Sequence, residues 1–123
     1  MSFIVASASA LSVSANSKSA EQVSGTYQFT GPGTYTLFGK ASATGLNMSL
    51  VIGGTILAND VAIPFTGTAG TIDLSANMMV SQRLLGINNK AELSFRNTTG
   101  APITIDYQFL WDPLLGGLFS RRR

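Results

Sequence analysis

The stretch Ile103-Thr-Ile-Asp-Tyr-Gln-Phe-Leu-Trp111 decides the fold. Ile103, Ile105, Tyr107, Phe109 and Trp111 fall on one side of an extended chain, and Thr104, Asp106 and Gln108 on the other. That period of two marks a strand with one buried face. The Asp112-Pro113 step is expected to end the ladder, because proline has no amide hydrogen to give it.

Moving back along the chain, Ala91, Leu93 and Phe95 alternate with Glu92, Ser94 and Arg96, and Leu46, Met48, Leu50 and Ile52 alternate up to a Gly53-Gly54 turn. Tyr35 and Leu37 lead a strand that runs to about Ala43, and Tyr27 and Phe29 share a face before the Gly31-Pro32-Gly33 turn. Ile56, then Val61, Ile63 and Phe65, then Ile72 and Leu74, read as three short pieces. Asn59-Asp60 and a turn over 67–70 divide them, and a longer apolar segment over 78–85 precedes a turn at Asn88-Asn89. No segment has the period and length of an amphipathic helix, apart from 80–85, which is too short to assign.

Turn signals at intervals of roughly 8 to 12 residues indicate an all-β fold. The expected architecture is a single antiparallel β-sandwich of the jelly-roll kind, with an immunoglobulin-like sandwich as the alternative. Residues 26–111 form its body. Residues 1–25, rich in Ser and Ala, are an extended arm or first strand, the competing reading being an Ala-rich helix disfavoured by Val13 and the interleaved serines. Residues 112–123 form an apolar tail ending in arginines.

The chain has 123 residues, room for one core. Apolar residues make up 45% and charged residues only 11% of it, against about 25% in an average globular protein. Disorder is excluded, since it needs low hydrophobicity and high net charge. A surface of Ser, Thr, Asn and Gly repels its neighbours weakly and so favours assembly. The formal charge of +2 comes from the end of the chain: Arg121, Arg122 and Arg123 are three of the eight cations, leaving five against six carboxylates in the rest. The body therefore carries no basic face for nucleic acid.

Catalysis finds little to work with. The absence of histidine excludes Ser-His-Asp and Cys-His arrangements, and the absence of cysteine excludes disulfides and thiolate metal sites. Glu21, Asp60, Asp73, Glu92, Asp106 and Asp112 are scattered; Asp60 and Asp73 are the pair that folding could bring together, although each suits a turn or an outward position. There is no calcium loop, and Gly31-Pro32-Gly33 lacks the Lys-Ser/Thr ending of a phosphate loop. The expectation is a protein that is not an enzyme, with no cofactor, no metal and no small-molecule substrate.

Nor is a membrane partner expected, because no apolar run approaches the roughly 20 residues of a spanning helix. The first ten residues end in small residues like a signal peptide but lack its basic start. Asn47-Met-Ser49 and Asn97-Thr-Thr99 have the glycosylation pattern; without a secretion signal they read as strand and hairpin residues.

The two ends of the chain are the candidate assembly interface. Phe3, Ile4 and Val5 could add a strand to a neighbour's sheet edge, and Leu114, Leu115, Leu118 and Phe119 form an apolar tail suited to docking on another subunit. Arg121, Arg122 and Arg123 have two readings, contact with nucleic-acid phosphates or an acidic partner groove, and a solvated end that aids solubility.

Gly33-Thr-Tyr-Thr-Leu37, the strand leading to the Gly-Gly turn, Lys90-Ala-Glu-Leu-Ser-Phe95 and the last strand together resemble the jelly-roll heads of the tumour-necrosis-factor and complement-C1q class over residues 26–111. Phage decoration, or cement, proteins of this size are similar to that class. The resemblance implies a virion protein located in the capsid, a homotrimer that binds and stabilises a capsid lattice. Two alternatives remain: a small jelly-roll major coat protein that self-assembles around nucleic acid, reached only through the C-terminal arginines, and a carbohydrate-binding sandwich using Trp111 or Tyr107 as a platform.

Overall fold

The computed structural model describes residues 2–67 and 76–113. Eight strands form two four-stranded antiparallel sheets. Sheet 1 has the order β1 (Phe3–Val13), β8 (Ile103–Pro113), β3 (Gly33–Ala41), β6 (Met78–Leu84), and sheet 2 the order β2 (Phe29–Thr30), β7 (Asn89–Asn97), β4 (Leu46–Ile52), β5 (Thr55–Ala62). Every connection except the β4–β5 hairpin passes from one sheet to the other. This is the jelly-roll order. The immunoglobulin-like alternative would seat the first strand beside the second in one sheet, whereas here β1 has β8 as its neighbour.

The core follows the alternation. Tyr35 and Leu37 from β3, Leu46, Met48, Leu50 and Ile52 from β4, Ala91, Leu93 and Phe95 from β7, and Ile103, Ile105, Tyr107 and Phe109 from β8 are all buried between the sheets. Rings meet in this core, Phe95 with Tyr107 across the gap at 5.2 Å and Tyr35 with Phe109 on neighbouring strands of sheet 1 at 6.4 Å between centroids, close enough to add to their area burial.

Several expectations are corrected. Residues 3–13 are a first strand, one of the two readings given for the segment 1–25, and they lie at the edge of sheet 1, so the body of the sandwich starts earlier than residue 26. Tyr27 belongs to a single 3-10 turn, Gly25–Tyr27, and in β2 it is Thr30 that is buried while Phe29 faces solvent. Asn59-Asp60 does not divide two strands. β5 runs through it with shifts of register against β4, and Asp60 takes φ +55 where the strand bulges; Asp accepts such a conformation more readily than most residues. β8 continues through Asp112 to Pro113, since a terminal proline needs no ladder donor. Asn89 opens β7 and is not a turn residue. The Ile72 and Leu74 piece lies outside the described residues.

Residues 14–24 act as a strap along β7, whose edge β2 covers only at Asn89 and Lys90. The amide of Asn97 donates to Ser17 O at 2.8 Å, that of Phe95 to Ser19 Oγ at 2.9 Å, and that of Leu93 to Glu21 Oε2 at 2.7 Å. Ser19 and Gln22 return amide bonds to Phe95 O and Leu93 O. The edge is thereby closed to another chain.

Candidate assembly surface

The strand register assigns each turn to one of two ends. At the first end lie the turns 31–32, 53–54 and 85–88, the start of β1 and the exit of the chain at Pro113, which is opposite Gly33. At the second end lie the turns 42–45 and 98–102 and the corner where β1 passes into the strap.

One buried amide organises the first end. Asn89 is 5% exposed, and its Nδ2 donates to Gly86 O at 2.9 Å, Gly31 O at 3.2 Å and Tyr35 Oη at 3.2 Å. Two hydrogens serve three acceptors, so one is shared. Tyr35 Oη lies 2.6 Å from both Gly31 O and Thr30 Oγ1. A Cβ on Gly53 or Gly86 would overlap Asn89 Oδ1. All three turns are therefore held against the same side chain. Gly33 has a related role: a Cβ there would collide with Asp112 O and the indole nitrogen of Trp111. That is the physical reason for the Gly-x-Tyr pattern, in which glycine admits the indole and tyrosine anchors the turn.

On this frame several of the side chains facing water are large and apolar. Of the seven large apolar residues exposed among the described residues, Ile4, Phe29, Ile56, Leu85 and Ile87 belong to the first end. Ile87 is 88% exposed, Leu85 65% and Ile56 63%. None of the three turns contains a charged residue. Such a concentration is the usual mark of an interaction surface.

The second end repeats the framework with different dress. Asn97, 1% exposed, donates from Nδ2 to Val13 O at 3.0 Å and Ala101 O at 2.8 Å, while its Oδ1 accepts from the amide and hydroxyl of Thr99. Thr98 bonds Gly45 O through both its amide and its hydroxyl. Its turns expose Ser, Thr and Gly in place of Leu and Ile. The engaged amide of Asn97 also leaves nothing for a glycan to attach to, in line with a hairpin role.

The expected interface residues separate. Val5 is in the core. Phe3 stacks with Tyr27 and Trp111, at 5.4 and 5.8 Å between centroids, so it completes its own sandwich. Ile4 remains outward and half exposed. Leu114, Leu115, Leu118, Phe119, Arg121, Arg122 and Arg123 lie outside the described residues, but the chain departs toward them from the first end. Sequence reading missed Asn89 and Asn97, because buried amides look like turn asparagines until the register is known. The platform expected for sugars is not formed by these rings: Tyr107 is buried, and Trp111 is wedged among Phe3, Tyr27 and Gly33.

The two outer faces also differ. The middle of the sheet 1 face consists of two cross-strand rows, Ser7, Gln108, Phe38, Met78 and Ile4, Leu110, Thr36, Ser81, without a charge. Lys40, Asp106, Arg83 and Asp112 occupy the flanking rows. Asp106 is buried there and accepts the amide of Ala10 at 2.6 Å, supporting the bulge in which Ala10 takes φ +56. Sheet 2 presents Lys90, Glu92 and Arg96, with Lys18 and Glu21 on the strap beside them.

Arg96 grips Asp60 through two hydrogen bonds, 2.9 Å from Nε and 2.5 Å from Nη2, and this pairing holds the Asp60 carboxyl below its ordinary range and raises the guanidinium. Asp60 is thus engaged, and Asp73 lies outside the described residues. An open polar cleft of about 340 Å³ is lined by Asn16, Ser17, Lys18, Arg96, Asn97 and Thr98. Among the described residues no group of three or more His, Cys, Asp or Glu could hold a metal ion. Burial, with Glu21 adding to it, pushes the Tyr107 phenol up to about 12, and its hydroxyl donates to Gln22 Oε1 at 2.8 Å.

No protein-family model matches the chain, and no curated protein matches it in sequence.

Proposed function

We propose that the protein is a structural component of a virion, a capsid decoration or cement protein that binds and stabilises a capsid lattice as a homo-oligomer, a homotrimer by preference, and catalyses nothing. The observation that carries this reading is the inequality of the two outer faces. Sheet 2 carries Lys90, Glu92 and Arg96 along its face, while sheet 1 keeps Lys40, Asp106, Arg83 and Asp112 in flanking rows and leaves between them two adjacent uncharged rows that include Ile4, Leu110 and Met78. Uncharged rows cost less to cover than charged ones, and their hydroxyls and amide can be paired across a contact, which suits a subunit interface. A chain without histidine or cysteine supports the absence of bond chemistry.

Light scattering on the eluting protein should give three times the chain mass. Leu110→Glu and Met78→Glu, which set like charges against each other across a self-contact, should return it to a monomer. Added to capsids stripped of accessory proteins, the native protein should bind at saturable stoichiometry and raise their melting temperature; capsids that neither bind it nor gain stability would refute the role.

The major-coat alternative has one observation in its favour, the jelly-roll order, which capsid domains use. It requires the protein alone to close into shells, which the same scattering experiment would reveal as a mass of many tens of copies.

A further inference from the structure

We infer that the polar cleft where the strap passes the end of β7 is a binding site for a small hydroxylated anion, a sugar acid carrying one carboxylate. Its two cations come first. Lys18 and Arg96 are bridge partners between the strap and β7, flanked by the bonds from the Asn97 amide to Ser17 O and from the Ser19 amide to Phe95 O. Cross-strand partners of like charge repel, so this placement costs the fold something that an anion bound between them would return. Asp60 is not on the cleft wall. It takes two of the five guanidinium N–H bonds of Arg96, and it is held in turn by the Asn47 amide and Ser49 Oγ. Three N–H bonds remain on a guanidinium whose position is already fixed.

Lys18 has no ion pair among the described residues. Glu21 spends Oε2 on the amides of Val23 and Leu93, and with Glu92 it lines a separate, smaller cleft that Lys18 also borders. With Arg96 balanced by Asp60, the wall of the larger cleft keeps the single charge of Lys18, which suits a carboxylate better than a phosphate monoester of nearly two charges.

The hydroxyls set the rest of the ligand. Ser17 Oγ donates to Ala15 O at 3.0 Å and Thr98 Oγ1 to Gly45 O at 2.7 Å, so each has used its hydrogen and can only accept from a guest. The Asn97 amide is engaged on both atoms, and no apolar side chain lines the cleft, whose volume of about 340 Å³ has room for a monosaccharide. Free cationic donors beside hydroxyls that only accept are complemented by a molecule bearing both a carboxylate and hydroxyl groups. The site uses none of the uncharged rows of sheet 1, so it stands apart from any role on a capsid.

Amide NMR signals of the isotope-labelled full chain give the test. Sodium glucuronate should shift the signals of residues 16–18 and 96–98 and reach saturation. Glucose, with the hydroxyls alone, should leave them in place, and sodium acetate, with the carboxylate alone, should bind about tenfold more weakly. Lys18→Gln should weaken glucuronate about tenfold while leaving the melting temperature equal or higher, because it relieves the like-charge pair. Ser17→Ala should weaken it about threefold. The inference is overturned by signals that glucuronate does not move, by a response that Lys18→Gln leaves intact, or by acetate binding as tightly as glucuronate.

Discussion

The two ends of the sandwich are built alike and clothed differently. Each is closed by a buried asparagine at one terminus of β7, Asn89 at the first end and Asn97 at the second, and each amide ties together turns that are remote in sequence. Outward from these amides the resemblance stops. The first end shows Leu85 and Ile87, and the second shows threonines and a glycine. A jelly roll needs its open ends plugged in any setting, so the asparagines belong to folding. The exposed apolar residues contribute nothing to that plug, and among the described residues five of the seven large ones lie at the first end, a concentration that usually marks an interaction surface.

The comparison breaks most visibly at its hub. Asn89→Ala strands Gly31 O, Gly86 O and the Tyr35 hydroxyl, and should lower the unfolding free energy by about 3 kcal/mol in denaturant titration. Asn97→Ala removes two donors to carbonyls and an acceptor for Thr99, with an expected loss of about 2 kcal/mol. Because the two lie at opposite ends of β7, the double variant should lose the sum; a clear deficit would show that the ends are coupled.

Alkali probes the strap that runs between the ends. Tyr107 in the unfolded chain ionises near 10 and in the folded protein near about 12. Its contribution is thus complete below the lower value and is lost as the pH rises toward the upper one. Melting temperature should fall across that window, and Tyr107→Phe should flatten the fall. Ile87→Asp should change stability by less than about 0.5 kcal/mol in the same titration, since a side chain 88% exposed has little folding role. Asp60→Asn should have the smallest effect, barely moving the melting temperature, because its partner Arg96 is as open to solvent as itself.

The strands that were legible were those whose alternation is uninterrupted. In β4 every second residue from Leu46 to Ile52 is buried, as the sequence alone requires. β5 defied the same reading because a bulge lets the chain pass through Asn59-Asp60 without ending, and only the bonds from Asp60 to Arg96, Asn47 and the Ser49 hydroxyl reveal why. The assembly surface was half legible. That the chain ends are apolar is plain from composition, but the conversion of Phe3 and Val5 into internal packing depends on β8 lying beside β1, more than ninety positions away. Outer-face composition was hidden for the same reason. Which residues share a row is a property of register, and register is set by the whole sandwich.

The pairing of β1 with β8 has a consequence for how the protein is made. The first strand to leave the ribosome finds its sheet neighbour in the last, so sheet 1 cannot be completed until Pro113 has emerged. Folding by such remote partners is slow, and an unpaired apolar strand waiting that long would invite aggregation. Only the centre of β1 is plain, Ala6-Ser-Ala-Ser-Ala10. Phe3, Ile4 and Val5 on one side of it and Leu11 and Val13 on the other wait for β8 with no charge among them, so they are where a stalled nascent chain would first associate.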